Sequence, residues 1–280
     1  MSPTPTFTPE PTSTPTLAPT PTLTPTPTAP SPTATPYSAA GGWRLVWADE
    51  FDVPGLPDPA RWDYEVGYIR NNERQYYTMR RQENARVENG MLIIEARRDP
   101  SQECEYTSAS LITRGSGEWT YGRIEVRAKL PTGKGMWPAI WMLGTNIDTV
   151  GWPACGEIDI MENVGFDPNR VYGSIHTSAY NHVNKTQKNA SLTVSKPYEE
   201  FHVYAVEWFA DHIDFFVDDR KYFTFKNEGA GVDVWPYDRP QYLILNIAVG
   251  GSWGGQQGID DAVFPQQMQI DYVRVYEQIN

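Results

Sequence analysis

Three carboxylates lie close together in the segment GEIDIMENVG, Gly156 to Gly165: Glu157, Asp159 and Glu162. The residues between them are apolar, as in a β-strand with one buried face. Side chains two apart in a strand share a face, and those at odd offsets point to opposite faces. Glu157 and Asp159 therefore belong together, and Glu162 falls on the far side unless the strand carries one extra residue. A β-bulge supplies such a residue and returns the next side chain to the original face, with Met161 the expected extra residue. All three acids then project into one space.

The chemistry that needs two carboxylates at a fixed separation is glycoside hydrolysis. One ionised acid attacks the anomeric carbon or activates water, and a protonated partner gives its proton to the leaving oxygen. Two glutamates leaning together across the bulge would approach the roughly 5–5.5 Å of a pair that retains configuration. The shorter aspartate would hold proton and charge in place, because adjacent carboxylates do not all ionise freely. The same acids also admit two other readings, a solvated acidic face and a calcium site. The flanks favour sugar chemistry. GKGMWPAIWMLG, just upstream, places Trp137 and Trp141 four apart and hence on one face of a strand. An indole beside carboxylates suits the apolar face of a pyranose, although paired tryptophans also serve as core.

The elements that must position these residues read as strands. YGRIEVRAKL alternates, with Ile124, Val126, Ala128 and Leu130 on one face and Glu125, Arg127 and Lys129 on the other. HIDFFVDDRKYFTF reads as a hairpin and PQYLILNIAVGG as an apolar strand closed by glycines. ARVENGMLIIEARR and MQIDYVRVYEQ alternate near the two ends of the domain. YEEFHVYAVEWF also fits helical spacing through Phe201, Ala205 and Trp208, but its Val, Tyr, Phe and Trp content favours strand. No long amphipathic helix stands out, so an all-β antiparallel sandwich is the simplest fold.

Of the 280 residues, the first 36 are nearly all Pro, Thr, Ser and Ala. Such a segment lacks the apolar mass for a core and favours an extended conformation, so residues 1–40 are expected to be a disordered linker or stalk once joined to another module or anchor. Residues 41–280 remain as one domain, a size routine for a large β-sandwich. The net charge is −12, from 23 basic and 35 acidic residues, with no basic run, which makes nucleic acid and anionic membrane poor partners. No stretch approaches 18 uninterrupted apolar residues, so none spans a bilayer. Thr/Pro-rich stalks point outside the cell. Because the chain starts MSPTP, without a charged and apolar leader, an extracellular protein implies a signal peptide removed or replaced. A monomer is expected. Cys104 and Cys155 could pair or could be two small buried residues, and their spacing does not decide between these.

Four segments together carry a family resemblance: GMWPAIWMLG, GEIDIMEN, NNERQYYT and FPQQMQIDYVRVYE. From about Trp43 to Tyr276 the chain resembles glycoside hydrolase family 16, in particular its bacterial laminarinase-like endo-β-1,3-glucanases. The resemblance implies a β-jelly-roll sandwich of two curved antiparallel sheets with a concave substrate cleft, and cleavage of internal bonds of neutral β-glucan with retention. It makes Glu157 the nucleophile, Glu162 the general acid/base and Asp159 the assisting carboxylate, with no cofactor for catalysis. The extra residue at Met161 is similar to the laminarinase type, whereas lichenases lack it. The resemblance also implies sugar contacts at Asn72, Trp137 and Trp141, with His176 near the acid/base and Trp253, in GGSWGG, at the cleft edge or packing a loop. A structural Ca2+ is implied on the opposite face, held by the backbone carbonyls of Glu50 and Gly90 and by Asp271. Laminarin is the expected substrate, with mixed-linkage β-1,3-1,4-glucan close behind. The alternatives are a lichenase-like or transglycosylating enzyme, or a non-catalytic β-glucan-binding module.

Overall fold

The alternating stretches fold as strands whose apolar sides meet in one core. The structure, a computed structural model, describes residues 42–100 and 104–279. The expected linker, residues 1–40, lies outside the described residues. The first strands in chain order are β1 (Trp43–Asp49), β2 (Asp63–Glu65), β3 (Gln75–Tyr77), β4 (Ala85–Glu88), β5 (Met91–Arg98) and β6 (Tyr106–Ser108). Then come β7 (Ser110–Ile112), β8 (Glu118–Trp119), β9 (Gly122–Lys129), β10 (Met136–Gly144), β11 (Glu157–Glu162) and β12 (Arg170–His176). The last are β13 (Lys188–Thr193), β14 (His202–Trp208), β15 (His212–Val217), β16 (Arg220–Lys226), β17 (Gln241–Val249) and β18 (Gln266–Gln278). The ambiguous YEEFHVYAVEWF stretch is thus the strand β14. Helix among the described residues amounts to single turns such as Ile147–Val150 and Asp261–Val263.

Two sheets result, making the expected β-jelly-roll sandwich. The first has the order β16-β15-β14-β9-β18-β5-β6-β3, with β1 beside β18 and β4 beside β5. The second has the order β13-β12-β11-β10-β17-β7-β2, with β8 beside β17. Pairing is antiparallel apart from β3 with β6. The core takes Ile124, Val126 and Ala128 from β9, Met136, Ile140 and Met142 from β10, and Ile158, Ile160 and Met161 from β11. The charged face of β9 is less open than alternation alone suggests. Glu125 is buried there, accepting from Arg123 Nε at 3.0 Å and from the Tyr276 hydroxyl at 2.9 Å.

The expected bulge is present in β11, one residue earlier than anticipated. Against β10, Met161 pairs with Ile140 and Asp159 with Trp141, which leaves Ile160 without a partner. Against β12, Asp159 pairs with Ser174 and Glu162 with Tyr172, so both Ile160 and Met161 stand over Gly173. Both side chains enter the core, which is how the strand gains a residue and returns Glu162 to the face of Glu157 and Asp159. Gly173 has no room for more: a Cβ there would sit 2.5 Å from the Tyr222 hydroxyl and 2.8 Å from the Phe215 ring.

Register then lays a row of side chains straight across the second sheet. Tyr172, Glu162, Ala139, Asn246, Ser110 and Glu65 are successive partners on β12, β11, β10, β17, β7 and β2. On the other sheet, Asp271 lies at a register shift in β18, next to Ile270, which pairs with Leu92 just after the Asn89–Gly90 turn. Glu50 follows Asp49, the partner of Val273. The three residues expected at a calcium site are therefore brought to one neighbourhood. Their carboxylates already have partners: Asp271 accepts from Arg127 at 2.6 Å, and Glu50 takes a two-pronged pair from Arg274 at 2.7 and 2.8 Å.

Candidate active site

Each glutamate of β11 is held by an indole N–H. Trp137 Nε1 donates to Glu162 Oε1 at 3.0 Å, and Trp152 Nε1 donates to Glu157 Oε2 at 2.9 Å. Trp137 comes from β10, one strand over. Trp152 comes from the turn before β11 and closes the other end. Between them Asp159 is buried, 3 % exposed, and its Oδ2 has no hydrogen-bond donor among the described residues. His176 Nε2 lies 3.3 Å from that oxygen and 3.6 Å from Glu157 Oε1. His176 thus stands directly opposite Glu157 in the β11–β12 register, beside Asp159, and its charge also acts on Glu162. The Tyr237 hydroxyl ties the backbones of the two strands there, 3.0 Å from both the Glu157 and the His176 carbonyl.

The electrostatics separate the acids. Burial, then the negative charge of Glu157 and a hydrogen bond shared with it, pushes the Asp159 carboxyl well above the usual carboxylate range. A proton kept on Asp159 supplies the donor that the pair lacks. Glu162 is half-buried. Burial, with Asp159 second, raises it well above its ordinary value, while His176 and the Trp137 N–H pull the other way. The site therefore favours the acid form of Glu162, beside a carboxyl, Glu157, that is positioned by a donor.

The floor beyond is polar and connected. Trp141 Nε1 donates to Asn246 Oδ1 at 2.8 Å, Asn246 Nδ2 to the Tyr77 hydroxyl at 2.9 Å, and that hydroxyl to Glu73 at 3.3 Å. The Arg70 guanidinium stacks over Trp141 at 4.8 Å and pairs with Glu65. Both expected tryptophans therefore line the site. Trp253 does so too, edge-on to Trp137 at 5.6 Å and to Tyr172 at 5.0 Å. Asn72 is exposed, in a turn with left-handed backbone, and the side chain that reaches the floor there is its neighbour Asn71, which donates to Glu73. Trp152, Glu73, Tyr77, Asn246 and Arg70 went unnoticed in the sequence. Trp152 carried the one usable signal, an indole five residues before Glu157.

Two features bear on bound ions and redox chemistry. Ligand atoms of Glu157, Asp159 and His176 lie within 4.8 Å of one another. Cys104 and Cys155 are both free and buried, which settles the question their spacing left open. Burial raises the Cys155 thiol to about 11, so it is unreactive at neutral pH.

A two-sheet jelly roll with paired glutamates and indoles on one face defines a glycoside hydrolase. The chain belongs to the family described as glycosyl hydrolases family 16, whose model matches residues 72–274. It is 56% identical over 247 residues to a beta-glucanase of Rhodothermus marinus, a match spanning 85% of this chain and 86% of that protein. The solved laminarinase of Rhodothermus marinus is similar at 55% identity and a TM-score of 0.83, covering 85% of this chain and 98% of its own. SCLam, a non-specific endo-beta-1,3(4)-glucanase from family GH16, aligns at 49% identity and a TM-score of 0.81, over 89% and 94% of the two chains.

Proposed function

We propose that this glycoside hydrolase is a retaining endo-β-1,3-glucanase that cuts laminarin and also mixed-linkage β-1,3-1,4-glucan. The observation that carries the reading is the bulge, which sets Glu157, Asp159 and Glu162 on one face with an indole N–H on each glutamate. Glu157 attacks the anomeric carbon while Glu162 gives its proton to the leaving glycosidic oxygen. Glu162 then takes a proton from the water that cleaves the glycosyl ester. Asp159, carrying a proton, donates to Glu157 and leaves it as that ester forms. Trp137, Trp141 and Trp253 line the glucan path, and Asn72, at the rim, meets sugar hydroxyls. The likeness to the Rhodothermus marinus laminarinase and to the broader SCLam supports both linkages. Reducing-sugar release and product lengths from laminarin and barley β-glucan, side by side, test it: short oligosaccharides from both support the reading, and binding without cleavage of either refutes it.

The indole on Glu157 has a measurable role. Trp152→Phe keeps an apolar ring and removes only the N–H. The expected result is a fall in kcat of about 10- to 100-fold with KM little changed, the scale of a lost hydrogen bond to a charged group. An equal loss carried by KM would place Trp152 in substrate binding.

The reading extends to the surroundings. The oxygens of the Glu50 and Gly90 carbonyls and of Asp271 are a donor set suited to Ca2+, although Arg127 already holds one Asp271 oxygen. A bound ion there would join the end of β1, the β4–β5 turn and β18, far from the chemistry. Chelation should lower Tm by a few degrees, roughly the effect of 1 kcal/mol or so, with kcat at 25 °C unchanged. A Tm indifferent to chelator and to added Ca2+ would exclude the site. No described helix is long and apolar enough to cross a membrane. The Thr/Pro-rich residues 1–40 support an extracellular enzyme with a stalk to another module, and we take the enzyme to act as a monomer.

A further inference from the structure

The turn between β12 and β13 brings a second imidazole to the Glu157 end of the site. His182 is exposed there, and its ring nitrogens form no hydrogen bond among the described residues. Its contacts are with other rings. The centroid lies 4.9 Å from that of Trp152 with the planes 35° apart, and 5.2 Å from that of His176, edge-on at 81°. Burial, then the charge of His176, holds the imidazole below the ordinary histidine value, so at pH 7 it packs as a neutral ring. The turn holds this ring in place through the residue before it. Asn181 is buried, and its Nδ2 donates to the Thr177 and Ser178 carbonyls at 3.2 Å each, while its Oδ1 accepts from the Asn184 N–H at 3.0 Å. The Thr186 N–H donates to the Asn181 carbonyl at 3.0 Å, and the Asn181 N–H to the Thr186 hydroxyl at 3.1 Å. With the backbone tied on both sides, the direction in which His182 leaves the chain is fixed.

We propose that His182 is a positioning residue for hydrolysis: packed on Trp152, it keeps the indole N–H on the nucleophile Glu157. Trp152 is only half-buried, in the turn before β11, and its apolar packing is to the small cluster that includes Leu143, Cys155 and Tyr242. Its N–H must nevertheless stay 2.9 Å from Glu157 Oε2. The freedom left by that packing is limited by the rings of His176 and His182, and of these only His182 comes from outside the two strands that carry the acids and His176. An indole that swings away frees Glu157 to rotate off the line of attack, and a misplaced nucleophile costs rate rather than affinity.

This inference deepens the glucanase reading and rests on it for its kinetic test. His182→Ala is expected to lower kcat on laminarin about three- to tenfold with KM little changed, the scale of one aromatic pair. His182→Phe keeps a ring without the nitrogens and should return kcat to within about twofold of the parent. The decisive comparison is made in Trp152→Phe protein, where no N–H remains to be positioned. There His182→Ala should change kcat by less than about twofold, because two residues acting through one hydrogen bond are not additive. An equal loss in both backgrounds, or a loss carried by KM, overturns the proposal and makes His182 act on the sugar directly. A second readout is independent of turnover. In nitrogen-edited NMR spectra the Trp152 indole N–H is identified by its disappearance in Trp152→Phe. Its exchange with solvent should quicken in His182→Ala and return to the parent rate in His182→Phe; an unchanged rate in His182→Ala overturns the positioning role. A parent enzyme that cuts no laminarin but shows this exchange pattern overturns the glucanase reading and leaves the role of His182 standing.

Discussion

Replacing Glu157 with Gln lowers turnover on laminarin by about 10⁵-fold, on the scale of losing a covalent nucleophile. The substitution is nearly isosteric. Its amide oxygen still accepts from Trp152, and the β11 register is untouched. What it lacks is the ability to form a glycosyl ester. Glucan affinity should therefore persist while chemistry stops. Steady-state rates give the first quantity and calorimetric titration with laminari-oligosaccharides gives the second. Residual turnover within tenfold of the parent would mean that another group attacks the anomeric carbon.

Glu162→Ala is the second large effect, and its size depends on the leaving group. General acid/base help is worth roughly 10²–10⁴. On laminarin, where the leaving sugar needs a proton, the variant loses that full factor. On an aryl β-glucoside or laminaribioside with a good leaving group, the first step survives and the glycosyl-enzyme waits for a base. Added azide, small and already anionic, needs no base and fits the space left by the carboxyl. The expected product is the β-glycosyl azide, with recovered rate; no azide adduct would remove the acid/base role from Glu162. The pH profile gives an independent reading. Glu162 is raised by burial and by Asp159, so its acid form persists above the ordinary carboxylate range. Activity should be kept below that raised value and lost as pH climbs through it, and this basic limb should vanish in Glu162→Ala assayed on the activated substrate.

The parts of this site that could be read from sequence were those set by local periodicity. Alternation placed Glu157 and Asp159 together, the odd offset of Glu162 called for a bulge, and the four-residue spacing of Trp137 and Trp141 put both on one face. Which apolar residue bulges was another matter. Ile160 and Met161 are both apolar and both enter the core, and only hydrogen-bond register across two neighbouring strands selects Ile160 as the residue without a β10 partner. His176 could be placed on the next strand, but its partner Glu157 follows from the exact length of the β11–β12 connection. Tyr77 meets Asn246 across 169 residues of chain, a contact no local pattern encodes. Cys104 and Cys155 stayed ambiguous for the same reason.

Keeping buried acids in their protonated form also makes the enzyme's folding proton-linked. Asp159, Glu162 and Glu73 all have raised affinities for protons in the folded state, chiefly through burial. Below the ordinary carboxylate range of about 4 the folded and unfolded chains are equally protonated at these groups, and no penalty arises. Above it the unfolded chain releases protons that the folded chain retains, so stability falls until pH passes the raised values. Evolution has thus placed a thermodynamic weak point where the chemistry occurs. Neutral replacement relieves it: Glu162→Gln should melt above the parent at pH 7, and the two Tm values should converge towards pH 4. A catalytically crippled protein that outlasts the working one would show how much folding free energy the proton donor withholds.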